Sequence, residues 1–472
     1  MGSSEKKTLV LPEVRIAPNL PLPEQLAESL REHILAGGWQ PGEQLPPMTA
    51  LARTYGTSVS PIAQAVQRLQ SEGLVVTKHR CGTYVAQDIA KRQQVIRVML
   101  HFEELPKILE EFSRAHPECK VISVPWTDDG NEQIRQIGSS RPLDLISIDM
   151  NQFHNFTARK LLNPVEKEDI RSGDEDTLLK TENIFRLSGH SYGVALSVDP
   201  LMLVARRSVF ADADVPLPPD DWTGRDMMDL AMRLTRDRNG DGVVDTFGYL
   251  FTLRPQTWMV PLLALGGGIA SWEAARSDMA KAAVRELWRA IFRAHISPMG
   301  ITEGALGRYG QTMMAAAESA RVAMMLADIF SFRKCRERYG DDIVLLRSPL
   351  MPNGQRASLM IVQGVAIPRT AFCREGAMKP IRFLRTTTAQ KLLCAPGHVL
   401  PVRIGLWEEM LEGNRELAWR LLSETADAFL YNYSETPSEM LSVEYHLNRL
   451  LAGHILLEEF EGAIEDRDER RM

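Results

Sequence analysis

The 472-residue sequence contains no run of about twenty apolar residues, the length a membrane-spanning helix needs. Its start, Met1 to Leu11, carries Lys6 and Lys7 but lacks the apolar stretch of an export signal. The expectation is therefore a cytoplasmic protein with no membrane partner. Cysteine is sparse and scattered. Cys81, Cys119, Cys335, Cys373 and Cys394 are odd in number and form no CxxC pair, so neither a disulfide framework nor a zinc site is expected. Gly266-Gly267-Gly268 lacks both the Lys-Ser/Thr ending and the GxGxxG spacing of a phosphate loop. His101, His154, His190 and His398 have no companion at catalytic or metal-binding spacing, and the sequence reads as that of a non-enzyme. An excess of basic charge is also missing. The formal net charge of -6 excludes a uniformly basic coat, but it leaves room for a local patch that binds phosphate.

What is present is globular: 44% hydrophobic and 25% charged residues exclude wholesale disorder, and the length predicts two or three domains. Residues 1–19 read as a polar leader. In PEQLAESLREHILAGG, Leu26, Leu30 and Ile34 recur at i+4 and predict an amphipathic helix ended by Gly37-Gly38. A short helix with Leu51, Ala52 and Tyr55 inward is broken at Gly56. Ser60 is then the expected N-cap and Pro61 the first residue of a third helix, with Ile62, Ala65, Val66 and Leu69 as its buried stripe. LVVT and TYV flank the turn KHRCG as two short strands. Three helices and a hairpin outline a winged helix-turn-helix over residues 20–87, whose third helix enters the major groove of DNA.

Residues 88–94 read as a linker. After it, VIRVML, KVISVPW and PLDLISID read as strands, separated by the helix LPKILEEFSRAHP, an alternation that predicts a largely parallel sheet. The Met-rich stretch MMAAAESARVAMML has helical spacing and reads as core. The acidic end beyond residue 465 reads as a tail.

The N-terminal pattern GGWQPGEQLPP, LARTYGTSVSPIAQAVQRLQSEGLV and RCGTYVA resembles the GntR family of regulators. From residue 95 to 465 the chain resembles the family 1 extracellular solute-binding proteins, the maltose- and oligosaccharide-binding group. The matching pieces are PLDLISID, ARKLLNPVE, the segment from SYGVALSVDP to MMDLAMRLT, DRNGDGVVDTFGY, LLALGGG, AESARVAMMLADIF, GVAIPRT and AQKLLCAPGHVLPV, in that order. The two resemblances imply a multidomain chain: a mostly helical DNA-binding head and a two-lobed α/β ligand-sensing domain. Lobe 1 is expected at about 95–200 and 357–395, lobe 2 at about 201–356 and 396–465. Operator DNA, a carbohydrate effector and a second copy of the chain are the partners this implies.

The expected DNA-contacting residues are Thr49 and Arg53 of the second helix, Ser58, Val59, Ser60, Ala63 and Gln64 of the third, and Lys78, His79 and Arg80 of the wing. Where the resembled family reads guanine with arginine, this chain carries Thr49, Val59 and Ala63. That departure leaves open a head retained for protein binding, and hence a sensor or adaptor that does not bind DNA. A transport-associated binding protein is the other alternative. For a sugar site, which pairs aromatic faces with carboxylates and amides, the candidates are Trp126, Asp149, Asn151, Trp258, Phe330 and Phe332. Trp222 reads as an anchor for the helix it precedes. In DRNGDGVVD, Asp237, Asn239, Asp241, Val243 and Asp245 have calcium-loop spacing, but Gly248 stands where the bidentate glutamate belongs. An Asx-turn loop without metal is the other reading, and no cofactor is required.

Overall fold

The computed structural model describes residues 21–35, 38–78, 81–87, 94–139, 143–165, 177–178, 181, 184–251, 255–268, 271–298, 321–371, 374–395, 397–427, 429–430 and 437–465. They fall into two compact units, one reaching to Ile96 and including Ala115–Val121, the other made of Arg97–Arg114 and the chain from Ile122 onward.

In the first unit, helices α1 (Leu22–Leu35), α2 (Met48–Thr54) and α3 (Val59–Ser71) are followed by strands β1 (Val75–Lys78) and β2 (Gly82–Val85). The i+4 stripe of α1 (Leu26, Leu30, Ile34) packs on Ile62, Ala65, Val66 and Leu69 of α3, closed by Trp39, Leu45, Leu51, Val75 and Val85. Helix α3 begins two residues earlier than expected, with Ser58 in extended conformation as its N-cap and Ser60 inside the first turn. At the other end of α3, the guanidinium of Arg31 grips Glu72 through Nε at 2.9 Å and Nη2 at 2.6 Å. The hairpin pairs Val75 with Val85 and Lys78 with Gly82. Backbone bonds Leu45 N–H to Thr83 O and Val85 N–H to Glu43 O widen the wing by one more segment. Gly82 is required there: its φ is +112°, and a Cβ would run into the Gln44 side chain.

Beyond the hairpin the chain forms two larger sheets. Strands β3 (Gln94–Met99), β4 (Cys119–Ser123), β5 (Leu145–Ile148), β8 (Val194–Pro200), β13 (Leu359–Ala366), β14 (Leu400–Pro401) and β15 (Phe429–Leu430) form the first. Its order is β14-β8-β13-β5-β3-β4, with β15 beside β13. Strands β9 (Met202–Arg206), β10 (Thr246–Tyr249), β11 (Arg321–Ala327) and β12 (Ile343–Leu346) form the second, in the order β10-β11-β9-β12. Between them in sequence lies the small hairpin of β6 (Arg186–Leu187) and β7 (His190–Ser191). The chain passes from the first sheet to the second through Leu201 alone and returns through residues 347–358. The strand that re-enters, β13, runs antiparallel to both β5 and β8. The first sheet is consequently mixed where the alternation of elements predicts a largely parallel one, and the second is mixed as well, with β10 parallel to β11 but β9 antiparallel to both β11 and β12. A chain that leaves a lobe and comes back arrives from the opposite end.

Two further expectations change. Residues 396–465 do not all lie in the second lobe, because β14 and β15 pair into the first sheet. The run Arg321–Ala327, expected as part of a helix, is the buried strand β11. A short continuous apolar run fits a two-sided buried strand as well as a helix. The rest of the Met-rich stretch lies outside the described residues.

Candidate nucleic-acid interface and ligand cleft

On α3, the face opposite the core stripe exposes Ser58, Val59, Ser60, Gln64 and Gln67, with Ala63 half-buried between them. Thr49 and Arg53 are exposed on α2, and Lys78 is exposed on the wing, where its ammonium lies 4.9 Å from the centre of the Tyr84 ring. His79 and Arg80 lie outside the described residues. The one charged side chain of α3, Arg68, is paired with Glu24 at 3.1 Å. The helix therefore presents an uncharged edge, while Arg53 and Lys78 supply cations on either side of it in sequence. Gln67 was not among the expected contacts. Its spacing, four residues after Ala63 and three after Gln64, places it on the same helical face.

In the second unit, the loops after β3, β4 and β5 carry His101, Trp126 and Asp149. This is the carboxyl end of parallel strands, where open α/β sheets bind ligands. His101 and Trp126 stack face to face, with centroids 4.9 Å apart and planes 5° from parallel. The backbone N–H of His101 donates to Ser147 Oγ at 2.9 Å, and the indole N–H of Trp126 donates to Asp128 at 2.9 Å. The second bond orients the indole, and the first anchors the backbone that carries the imidazole. Asp149 caps helix α4 (Met150–Ala158) in a reciprocal arrangement with Gln152. Burial raises its carboxyl above the ordinary aspartate value, against the opposing pull of the Gln152, Asn151 and Asp149 backbone N–H groups and of His101. Asn151 is exposed in the first turn of α4.

A second chain of contacts runs from the β3 loop to the other sheet. Glu103 lies 3.0 Å from Nδ1 of His398, and the His398 imidazole meets the ring of Phe330 edge-on, 4.5 Å between centroids. Phe330 belongs to the helix Ile329–Tyr339 that follows β11. That helix is pinned at its start by two carboxylates. Asp328 accepts from Ser331 N–H at 2.6 Å, and Asp199, from the end of β8, accepts from Ile329 N–H at 3.2 Å. Burial, and after it the neighbouring Asp328 carboxylate, push Asp199 well above the usual range.

Of the expected set, the structure places Trp126 and Asp149 at strand ends, and Asn151 and Phe330 in the first turns of the helices that follow β5 and β11. It does not bring Trp258 or Phe332 to an open surface. Trp258 is 0% exposed and its indole N–H donates to Asn448 Oδ1 at 3.2 Å, while Phe332 lies in the core. Both are core packing, because an apolar helix face and a cleft face read alike in sequence. His101, Glu103 and His398 were missed. Their signal was position: His101 follows its strand as Trp126 and Asp149 follow theirs. Trp222 is the anchor expected of it, buried and donating to Arg347 O at 2.8 Å.

Among the described residues no group of three or more His, Cys, Asp or Glu side chains is placed to hold a metal ion. In the loop with calcium spacing, Asp237 accepts from Gly240 and Gly242 N–H, Asp241 from Val243 N–H and Asp245 from Arg238 N–H. The first of these bonds to matter, from Gly242, holds Asp237 below its ordinary value. Among the described residues no helix is long and apolar enough to cross a membrane.

Fold and surfaces define a class: a helix-turn-helix head joined in one chain to a two-lobed α/β fold of the solute-binding type. Residues 22–85 match the family described as bacterial regulatory proteins, gntR family. Over 68 residues the chain is 40% identical to the uncharacterized HTH-type transcriptional regulator YdcR of Escherichia coli, which covers 14% of each protein. It is 30% identical over 117 residues to the mannosyl-D-glycerate transport/metabolism system repressor MngR of the same species, covering 25% of this chain and 47% of MngR. The chain thus spans less than half the length of these relatives. The remainder has the fold of the GacH receptor of Streptomyces glaucescens, solved unliganded and with acarbose. That likeness has a TM-score of 0.61 at 15% identity, covering 79% of this chain and 96% of the receptor. The expected fusion of a GntR-type head with a maltose-binding-type fold is borne out.

Proposed function

We propose that this protein is a ligand-responsive transcription regulator. Its head binds operator DNA, and its two-lobed part senses a small polyhydroxylated molecule, a sugar or oligosaccharide, without catalysis and without a bound metal. The observation that carries the reading is the presence, in one chain, of a GntR-type head and a cleft-forming fold whose strand ends present a flat His101–Trp126 stack beside Glu103 and Asp149. A sugar has apolar C–H faces and a rim of hydroxyls, which such a set of side chains complements. Residues from the loop after β3 (Glu103) and from the helix after β11 (Phe330) meet at His398. A ligand seated there favours one arrangement of the lobes over another only through its different affinity for the two. Two copies of the chain, each placing α3 in one half-site, complete the reading.

The test is calorimetric titration with maltotriose and with a panel of hexoses, on the wild-type protein and on Trp126→Ala. Saturable binding weakened about tenfold or more in the variant supports the site, a loss equal to about 1.4 kcal/mol. Binding of equal affinity in both proteins removes Trp126 from it.

A further inference from the structure

We infer that the head reads A·T base pairs, through thymine methyl groups at Val59 and Ala63 and adenine edges at Gln64 and Gln67. The inference rests on the DNA-binding reading above and goes beyond it. Its basis is what the open face of α3 offers and what it lacks. Val59 is 42% exposed, an isopropyl group in the first turn of the helix. Ala63 follows it one turn later, so the two form a narrow apolar strip spanning about 6 Å along the axis, roughly two base-pair steps. Beside the strip run Ser60, Gln64 and Gln67, all exposed. No ionised side chain interrupts this face, since the single charge of α3 is held by Glu24.

Base edges in the major groove sort these groups. Guanine presents two acceptors, O6 and N7, and is read by a guanidinium or ammonium; cytosine presents a donor and is read by a carboxylate. The open face of α3 carries neither. Adenine presents an acceptor and a donor side by side, the pattern a primary amide matches with both its atoms, and thymine presents a methyl group that packs on an apolar side chain. Two amides and an apolar strip on one face therefore fit adenine and thymine, and offer guanine and cytosine no charged or bidentate partner. Arg53 and Lys78, exposed on α2 and β1, are suited to the phosphates that surround the reading helix.

The experiment is selection of duplexes from a randomised pool by the full-length protein, followed by anisotropy titration of the enriched duplex. The duplex is compared with versions in which core thymines are replaced by uracil, which removes only the C5 methyl. The expected result is a half-site with adjacent A·T pairs at its core, bound about three- to tenfold more weakly with uracil. Val59→Ala, a change at an exposed position, is expected to narrow that difference towards what alanine contacts alone supply, and Val59→Arg to move the selected core towards G·C. A selected core rich in G·C, or indifference to uracil in the wild-type protein, overturns the inference while DNA binding stands. No enrichment over the starting pool overturns the DNA-binding reading itself, and the inference with it, in favour of a head that contacts protein.

Discussion

Nδ1 of His398 lies 3.0 Å from the carboxylate of Glu103. The first residue precedes β14, the second follows β3, and the imidazole of the first also meets Phe330 at the start of the helix after β11. One imidazole thus joins the loop of a first-sheet strand to a helix that caps the second sheet. Glu103→Gln keeps the shape and removes the charge. Both partners are about one-third exposed, so water screens the pair and its effect on stability is expected within about 1 kcal/mol. Its effect on maltotriose affinity is expected to be larger, about three- to tenfold, because on the proposed reading the pair joins two walls of the ligand site. Calorimetry and thermal melts of the same variant check this. A large loss of stability with no change in affinity would assign the pair to folding alone.

Asp199 provides the pH dependence. Burial and the nearby Asp328 carboxylate raise its pKa, so the folded protein holds a proton more tightly there than the unfolded chain does. The stabilisation this gives is complete below the ordinary aspartate value and is lost as pH rises through the raised one. Above the raised value the folded state carries the full penalty of a buried charge beside another. Asp199→Asn removes that charge and keeps an oxygen for the Ile329 N–H. The expected result is a Tm raised on the order of 2–4 °C at pH 8, with a smaller gain near pH 5. A variant less stable than wild type at both pH values would contradict the account.

In the head, Arg31 is 3% exposed and grips Glu72 through two nitrogens. Removing one partner strands the other charge in a buried setting, at a cost of about 3–5 kcal/mol. Arg31→Ala is therefore expected to strip hydrogen-exchange protection from α1 and α3. Arg31→Met with Glu72→Leu, which leaves no orphan charge, is expected to restore much of it. Unchanged protection in the single variant would mean that the pair contributes nothing.

How much of this was legible in the sequence varies with the kind of signal. The head was readable almost throughout, because its core is local: the i+4 stripe of α1 and the stripe Ile62, Ala65, Val66, Leu69 face one another within fifty residues. The N-cap was misplaced by two residues because Ser58 and Ser60 are chemically equivalent as caps. The strands β3 to β5 were equally plain. Strand direction was not, since the antiparallel entry of β13 depends on a chain that leaves through Leu201 and returns some 150 residues later. The cleft was half legible. Trp126 and Asp149 announced themselves as strand-end residues, but the Glu103–His398 pair joins positions nearly 300 residues apart, and no local pattern contains it. Trp258 failed for the opposite reason: burial within an apolar helix is decided by what covers it, and Asn448 does so from a distant helix.

The central claim is that ligand in the cleft and DNA at the head are coupled in one molecule. Anisotropy of a labelled duplex from upstream of the protein's own gene, titrated with the full-length chain at two salt concentrations with and without a saturating sugar, tests it directly. The account predicts binding tighter than to a scrambled duplex, weakened by salt as phosphate contacts require, and shifted by about five- to 150-fold when sugar is added, the range of typical coupling energies. Specific binding that saturating sugar leaves untouched, with the sugar shown by calorimetry to occupy the protein, would contradict it.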